Sequence, residues 1–587
     1  MPSNPNLDYY GNEAGPYNFY CFYCIPMALL TNLAMSVFPL QFPASCAIVK
    51  RYFSGKDRRI TMVKEKMNHL DEEAVLLLNK GKRGFFRLIF GRTTVVVLLL
   101  AIQFGLLFLG FYRLRDYFVY GGSLLLSLVM ALIVVNRPRD PNTKITWIIL
   151  IMLAPVFAIP FYLFVDKELG HRLVRARLEE INRETAGLLP SQPEICRSLE
   201  ETDPGLAGLA SYLERTGNFP TWRHSGADYY PIGEKAFEAM LAELESAQSF
   251  IFMEYFIIDE GYMWGRILKV LEQKAQQGVE VRVLYDGTCA LYKLPYQYPR
   301  QLEQLGIRCR MYAPLRPLVS THYNNRDHRK IMVVDGRCAF TGGINLADEY
   351  INRTHPHGHW KDVALRITGE AVRTFTLMFL QMWNTEDRGM EDCTRYLAAS
   401  APVDAPGWII PYGDSPFNGD NIGETVYLDI LNRAQKYVHI MTPYLIIDHE
   451  MVTSLIFAAK RGVDVKLMTP GRPDKKTVFA LTRSYYRELI EGGVQIYEYT
   501  PGFVHAKTFV SDDTTAVTGS INLDYRSLYL HFECAALMSH TPAVAAIEAD
   551  YQETLAKCRK ITIEDCKRDR FGRRITGWLL RPLAPLM

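Results

Sequence analysis

One spacing occurs twice in this chain of 587 residues and limits what it can fold into: His-x-Lys, four residues, Asp, six residues, Gly, Gly or Ser, one residue, Asn. The first copy, 328–345, reads HRKIMVVDGRCAFTGGIN, and the second, 505–522, reads HAKTFVSDDTTAVTGSIN. His and Lys two apart on an extended strand point to the same face. The apolar run after Lys330 suits that strand, and Asp335-Gly336 suits the turn that ends it. Gly342 and Gly343, or Gly519 and Ser520, allow close approach to a ligand. Asn345 and Asn522 are expected to add amide donors. Each copy offers one potential nucleophile or base, one cation and one neutral donor, a set suited to an anionic tetrahedral group such as a phosphodiester. A solvated strand face would account for one copy, but not for two that agree at five positions.

The surroundings repeat as well. EYFIID at 254–259 matches PYLIID at 443–448, QGVEVRVL at 277–284 matches RGVDVKLM at 461–468, and LGIRC at 305–309 echoes GGVQI at 492–496. The spacing predicts a helix over 235–247, a strand over 250–258, a helix over 264–277 stopped by Gly278, and a strand over 279–285. Each series ends in a His-x-Lys motif. The repeated unit exceeds a hundred residues and alternates strand with helix, so the expected fold class is α/β, with two fused halves, 216–400 and 401–587, related by a pseudo-twofold.

The duplicated HxKxxxxD motif resembles the phospholipase D superfamily over about 215–560. The words TGGINLADEY, GHWKD and TGSINLDYRS look most like its bacterial cardiolipin synthase family. The resemblance implies that both motifs face one cleft, that His328 is the nucleophile and that His505 is the general acid and base. The residues alone leave those two roles interchangeable. Lys330 and Lys507 are expected to neutralise the phosphodiester, with Gly343 and Ser520 near it; Asp335 and Asp512, the motif acids, are expected to hold strand ends. Asp362 in GHWKD follows His328 by 34 positions, and Glu533 in HFECA follows His505 by 28. The resemblance points to these two as the acids that orient their respective imidazoles. The implied reaction joins two phosphatidylglycerols into cardiolipin and glycerol through a phosphohistidine. Hydrolysis to phosphatidic acid and a non-catalytic lipid-binding scaffold are the competing readings. No cofactor or metal is expected: the motifs contain no magnesium site, and the lysines make one unnecessary. HPHGH at 355–359 reads as a loop, and His322, His439, His449 and His531 as packing or surface residues, with His531 able to line the second half-site.

The first third has a different character. Residues 1–49 contain no Lys or Arg, and Cys21 and Cys24 lie in an apolar aromatic run; 50–92 carry twelve Lys or Arg against five Asp or Glu. Such a basic segment suits anionic headgroups or a solvated loop. Three apolar stretches follow, at 93–112, 117–135 and 145–165, each near the ~20 residues of a helical span, with Pro155 and Pro160 expected to kink the third. They predict an α-helical membrane anchor over 93–165, joined to the catalytic halves by a connector over 166–215. The positive-inside rule puts 50–92 in the cytoplasm, and three spans then put the catalytic halves on the outer face of a bacterial cell membrane. Lys167, Arg172, Arg175 and Arg177 argue mildly against that sidedness. The formal net charge of +3 gives no polyanion-binding signature, so the expected partners are a phospholipid and the membrane, with no nucleic acid. The segments 292–299 and 569–587, the latter ending in ITGWLLRPLAPLM, are candidate lipid-interface stretches. Eleven cysteines, odd in number and scattered, do not make a disulfide scaffold.

Overall fold

Apolar runs of five to seven residues, buried along their whole length, form the centre of each half. The computed structural model describes residues 122–586 apart from 139, 168, 315–324, 388 and 418. The first half contains β1 (Ser225–Tyr230), β2 (Phe250–Tyr255), β3 (Glu280–Asp286), β4 (Arg308–Tyr312), β5 (Lys330–Val334), β6 (Cys338–Gly342), β7 (His359–Lys361) and β8 (Ala364–Gly369). The second contains β9 (Trp408–Asp414), β10 (Tyr437–Met441), β11 (Leu445–Ile446), β12 (Asp464–Pro470), β13 (Gln495–Tyr499), β14 (Gly502–Val504), β15 (Thr508–Ser511), β16 (Thr515–Gly519), β17 (Leu523–Asp524), β18 (Glu533–Ser539) and β19 (Cys558–Ile561).

One sheet runs β1-β8-β6-β5-β2-β3-β4 and the other β9-β18-β16-β15-β10-β12-β13-β19. The first seven positions correspond strand for strand, so the fold is α/β with two sheet-containing halves. In each sheet three strands are parallel, β2-β3-β4 and β10-β12-β13, and the motif strand, β5 or β15, joins them antiparallel. The sheets share a core: Phe252, Val333 and Leu365 from the first meet Val510, Ala516 and Met538 from the second around Phe375 and Phe379. Helices Gly233–Ser246 and Tyr262–Gln276 cover the other face of the first sheet, and helices Ile422–Arg433 and His449–Lys460 that of the second. Strands covered on both faces read as continuous apolar runs, as Ile331–Val334 does.

The helix and strand boundaries expected between 235 and 285 agree with these elements to within about three residues. At Gly278, φ is +90°; its N–H bonds to Ala275 O and the Val279 N–H to Lys274 O. This paired closure stops the helix and turns the chain into β3.

Asp335 and Asp512 sit at the ends of β5 and β15 with φ of +52° and +56°. The Asp335 carboxylate accepts from the N–H groups of Gln248, Ser249 and Phe250 at 2.7–2.8 Å. Asp512 does the same for Gln435, Lys436 and Tyr437 at 2.7–2.9 Å. Each ties the end of its motif strand to the start of the neighbouring strand. Asp335→Ala is expected to cost about 2–4 kcal/mol, from loss of three bonds to a charged acceptor. A urea midpoint unchanged within error would contradict this.

Two sequence expectations need correction. Stretch 145–165 is not one kinked helix but two, Pro141–Leu153 and Pro155–Lys167, separated at Ala154 (φ −145°). Pro155 donates no N–H and disfavours the helical conformation at the residue before it. Of stretch 117–135 the described part is the 14-residue helix Gly122–Val135. Among the described residues no helix is long and apolar enough to cross a membrane. Stretch 93–112, the basic segment 50–92, Cys21, Cys24 and His322 lie outside the described residues. The supposed connector is also more than a link: Leu206, Leu209 and Leu213 of helix Pro204–Gly217 are buried in the second half's core.

Candidate active site

His328 and Lys330 enter the site from the start of β5, and His505 and Lys507 from the start of β15. The two lead-in segments are each paired with the other half. The His328 N–H donates to Phe532 O at 2.9 Å, and the Phe532 N–H to Arg326 O at 2.8 Å. On the other side β14 pairs in parallel with β7, and the His505 N–H donates to Lys361 O at 2.7 Å. The residue following each pairing is an acid, Glu533 or Asp362.

The acids therefore cross over. His328 Nδ1 lies 2.8 and 2.9 Å from the two Glu533 oxygens, and His505 Nδ1 lies 2.6 Å from Asp362 Oδ2. Each imidazole is held by the carboxylate of the opposite repeat, not by the acid that follows it in its own. This corrects the expected assignment. The physical reason is the face-to-face packing of the sheets, which brings the start of each motif strand against the other half's acid-bearing segment.

All six groups are buried: His328 and His505 are each 7% exposed, Lys330 and Lys507 1%, and Asp362 and Glu533 0%. Burial lowers His328 to about 3, against the pull of Glu533. Burial and the Lys507 charge lower His505 to about 4. Burial alone would raise both acids, but His328, with the nearby His531 and Lys330, holds Glu533 below its ordinary range, and His505 and Lys507 do so for Asp362. Each ring is thus neutral near pH 7. It donates Nδ1–H to a carboxylate and keeps the Nε2 lone pair for chemistry.

Burial lowers Lys330 to about 8, and burial together with the Lys330 charge lowers Lys507 to about 7. A bound anion favours the charged ammoniums. Phosphate binding at pH 8 is therefore expected to take up protons, and affinity to fall as the pH rises through 7 to 8. Calorimetry in buffers of different ionisation enthalpy measures the uptake; pH-independent affinity between 6 and 9 would contradict it.

The remaining expected site residues serve other groups. Asn345 Oδ1 accepts from the Ile257 N–H at 3.0 Å, and its Nδ2 donates to the Tyr350 hydroxyl at 2.8 Å, so its main task is to fasten a loop. Asn522 is buried, with no partner at Oδ1. The Ser520 hydroxyl donates to Glu533 and holds that acid in place of the expected phosphate contact. A Cβ at Gly343, the matching position, would stand 2.1 Å from Asp362 Oδ1, so glycine there makes room for the first half's acid. In HPHGH, His359 Nδ1 lies 3.0 Å from the Tyr499 hydroxyl. Among the described residues, the side-chain groups with metal-ligand spacing are His328–His531–Glu533 and Asp140–Asp448–Glu450. At the first, both carboxylate oxygens already meet His328. Sequence reasoning overlooked Trp360, whose ring lies 5.4 Å from His505. Superposing GHWKD on HFECA by their acids would have found it, since Trp360 then falls on His531.

The chain matches the family model described as cardiolipin synthase, PLD-like domain, over 240–383 and 427–555, and the phospholipase D-nuclease N-terminal model over 125–165. An uncharacterized protein of Streptococcus mutans serotype c is 46% identical over 78% of this chain and 99% of its own length. The cardiolipin synthase of Geobacillus kaustophilus is 33% identical over 78% of this chain and 91% of its own. That of Halalkalibacterium halodurans is 31% identical over 84% and 99% respectively. With both motifs complete and likeness extending over nearly the whole of these relatives, the chain belongs to the cardiolipin synthase family of phospholipase D-like proteins.

Proposed function

We propose that the protein joins two phosphatidylglycerols into cardiolipin and glycerol, carrying the phosphatidyl group on His328. In the first step His328 Nε2 attacks phosphorus, the bond from phosphorus to the glycerol oxygen breaks, and His505 gives that oxygen a proton. In the second, His505 takes the proton from a hydroxyl of the incoming phosphatidylglycerol. That oxygen attacks phosphorus, and the phosphorus–nitrogen bond breaks. Burial and the ammonium charges keep His505 neutral; the bound phosphodiester offsets those charges, which favours the protonated ring the first step requires. Two inversions give net retention at phosphorus.

The crossed pairs carry this reading: two imidazoles of similar chemistry, each fixed by its own carboxylate, beside two ammoniums. Their burial favours transfer to an alcohol over hydrolysis, because it keeps bulk water from a reactive phosphorus–nitrogen bond. Purified protein supplied with phosphatidylglycerol in detergent should release cardiolipin and glycerol in equal amounts. Phosphatidic acid in place of cardiolipin would mean the hydrolytic reaction.

The same reading places the enzyme at a bacterial cell membrane, with 93–165 as its anchor, 216–400 and 401–587 as the catalytic halves, and the catalytic side outward. It requires neither a cofactor nor nucleic acid. Leu124, Leu125, Leu128, Leu132 and Leu153 are 56–77% exposed on the helices of 122–153. On helix Phe571–Leu580, Phe571 is 76% and Trp578 74% exposed. The two regions adjoin: Thr146 donates to Pro582 O, and Asn142 Nδ2 to the Tyr525 hydroxyl at 2.7 Å. Apolar surface on this scale marks an interaction face, and an aromatic residue on an amphipathic helix suits a lipid interface. Vesicles of brominated phospholipid are expected to quench the tryptophan emission of wild type more than that of Trp578→Phe. Equal fractional quenching would place Trp578 away from lipid.

A further inference from the structure

We infer that His531 is a third imidazole of the site, donating a hydrogen bond to a non-bridging oxygen of the phosphatidyl group while that group is on His328. The inference rests on the phosphatidyl-transfer reading. His531 is 8% exposed, and neither ring nitrogen has a hydrogen-bond partner. Its ring lies 5.5 Å from that of His328 at 38°. Nδ1 stands 3.8 Å from Glu533 Oε1, too far for a hydrogen bond, and Glu533 is already engaged by His328 and Ser520. Buried polar groups are normally paired, so a buried imidazole with both nitrogens unused calls for a partner that arrives later.

Packing does not require an imidazole here. His531 stands two residues before Glu533 as Trp360 stands two before Asp362, and Trp360 lies 5.4 Å from His505 at 41°. One half thus fills the position with an indole, and the other with an imidazole of the same tilt against its catalytic ring. The neighbours define what the nitrogens meet. Lys330 flanks the same volume: its Nζ lies 5.4 Å from the centre of the Phe256 ring, which is itself 4.9 Å from the His328 ring and 6.5 Å from the His531 ring, and a cation beside a nucleophile receives an anionic oxygen. In-line displacement puts the departing and entering alcohols opposite His328. Three oxygens then stay on phosphorus through both steps, the two non-bridging ones and the diacylglycerol ester oxygen, and of these the anionic non-bridging oxygens are the ones that a cation and an N–H donor attract. The assignment also separates the half-sites: an imidazole contacts the retained phosphoryl on the His328 side, while Trp360 occupies the alcohol side.

The test compares full-length wild type, His531→Phe and His531→Gln. Inorganic phosphate binding is measured by calorimetry, and phosphohistidine formation from radiolabelled phosphatidylglycerol in a single turnover. His531→Phe is expected to weaken phosphate about tenfold and slow phosphohistidine formation roughly 10–100-fold, at an unchanged melting temperature. His531→Gln, which keeps an N–H donor, is expected to recover much of both. Wild-type behaviour of His531→Phe would overturn the inference. So would a loss that tracks a lower melting temperature and is not recovered by Gln, or turnover that EDTA abolishes and zinc restores, since the ring would then be a packing residue or a metal ligand. If wild type itself neither binds phosphate nor forms phosphohistidine, the phosphatidyl-transfer reading fails first, and that outcome is distinguishable from a failure of His531 alone.

Discussion

Replacing His328 with asparagine is expected to lower cardiolipin formation by about 10⁴-fold or more and to abolish the acid-labile phosphohistidine. Removing a nucleophile that acts within a unit commonly costs that much. His328 commits Nδ1 to Glu533 at 2.8 Å, which leaves Nε2 as its nucleophilic lone pair, and asparagine offers none comparable. Glu533 keeps its bond from Ser520, so a folded variant is expected. Radiolabelled phosphatidylglycerol, quenched under alkaline conditions and mapped by peptide, measures the adduct directly. Label on the peptide carrying His505 in wild type would reverse the assignment of the two rings.

The second large effect concerns the acids. Glu533→Gln and Asp362→Asn are each expected to lower turnover by about 10²–10⁴-fold, as amides commonly do at carboxylates that fix an imidazole tautomer. An amide nitrogen donates to Nδ1 and moves the ring proton to Nε2. At His328 this removes the attacking lone pair. At His505 it leaves a neutral ring that no carboxylate helps to become cationic. Both variants keep side-chain volume, and both acids are fully buried, so melting temperatures should be compared alongside. A fall in turnover no larger than the loss of folded protein would contradict an orienting role.

The two equivalent His-x-Lys pairs were legible because the motif is local: two residues on one strand, followed by a turn acid that needs no distant partner for its identity. The order of strands was legible in outline because strands covered on both faces are written as apolar runs closed by glycine turns. The crossing of the acids was not legible. His328 and Glu533 are 205 residues apart, and His505 and Asp362 143; only the packing of sheet on sheet brings them together. Asn345 and Ser520 misled for a related reason. A polar side chain in a motif can serve the ligand or the framework, and spacing does not distinguish a phosphate donor from a strap on Ile257 or Glu533. The break at Ala154 was half visible: Pro155 and Pro160 announced a kink, but whether a proline bends a helix or starts a new one depends on what its neighbours pack against.

The crossed pairing is most directly tested by a pre-steady-state burst with a phosphatidyl ester of p-nitrophenol, whose departure needs no general acid. Asp362→Asn, which disturbs His505, is expected to release one equivalent of p-nitrophenol at near the wild-type rate and then stall as the phosphoenzyme. Glu533→Gln, which disturbs His328, is expected to give no burst. With the adduct located on His328, a burst from Glu533→Gln together with none from Asp362→Asn would mean that each acid serves the histidine of its own repeat, and would contradict the account.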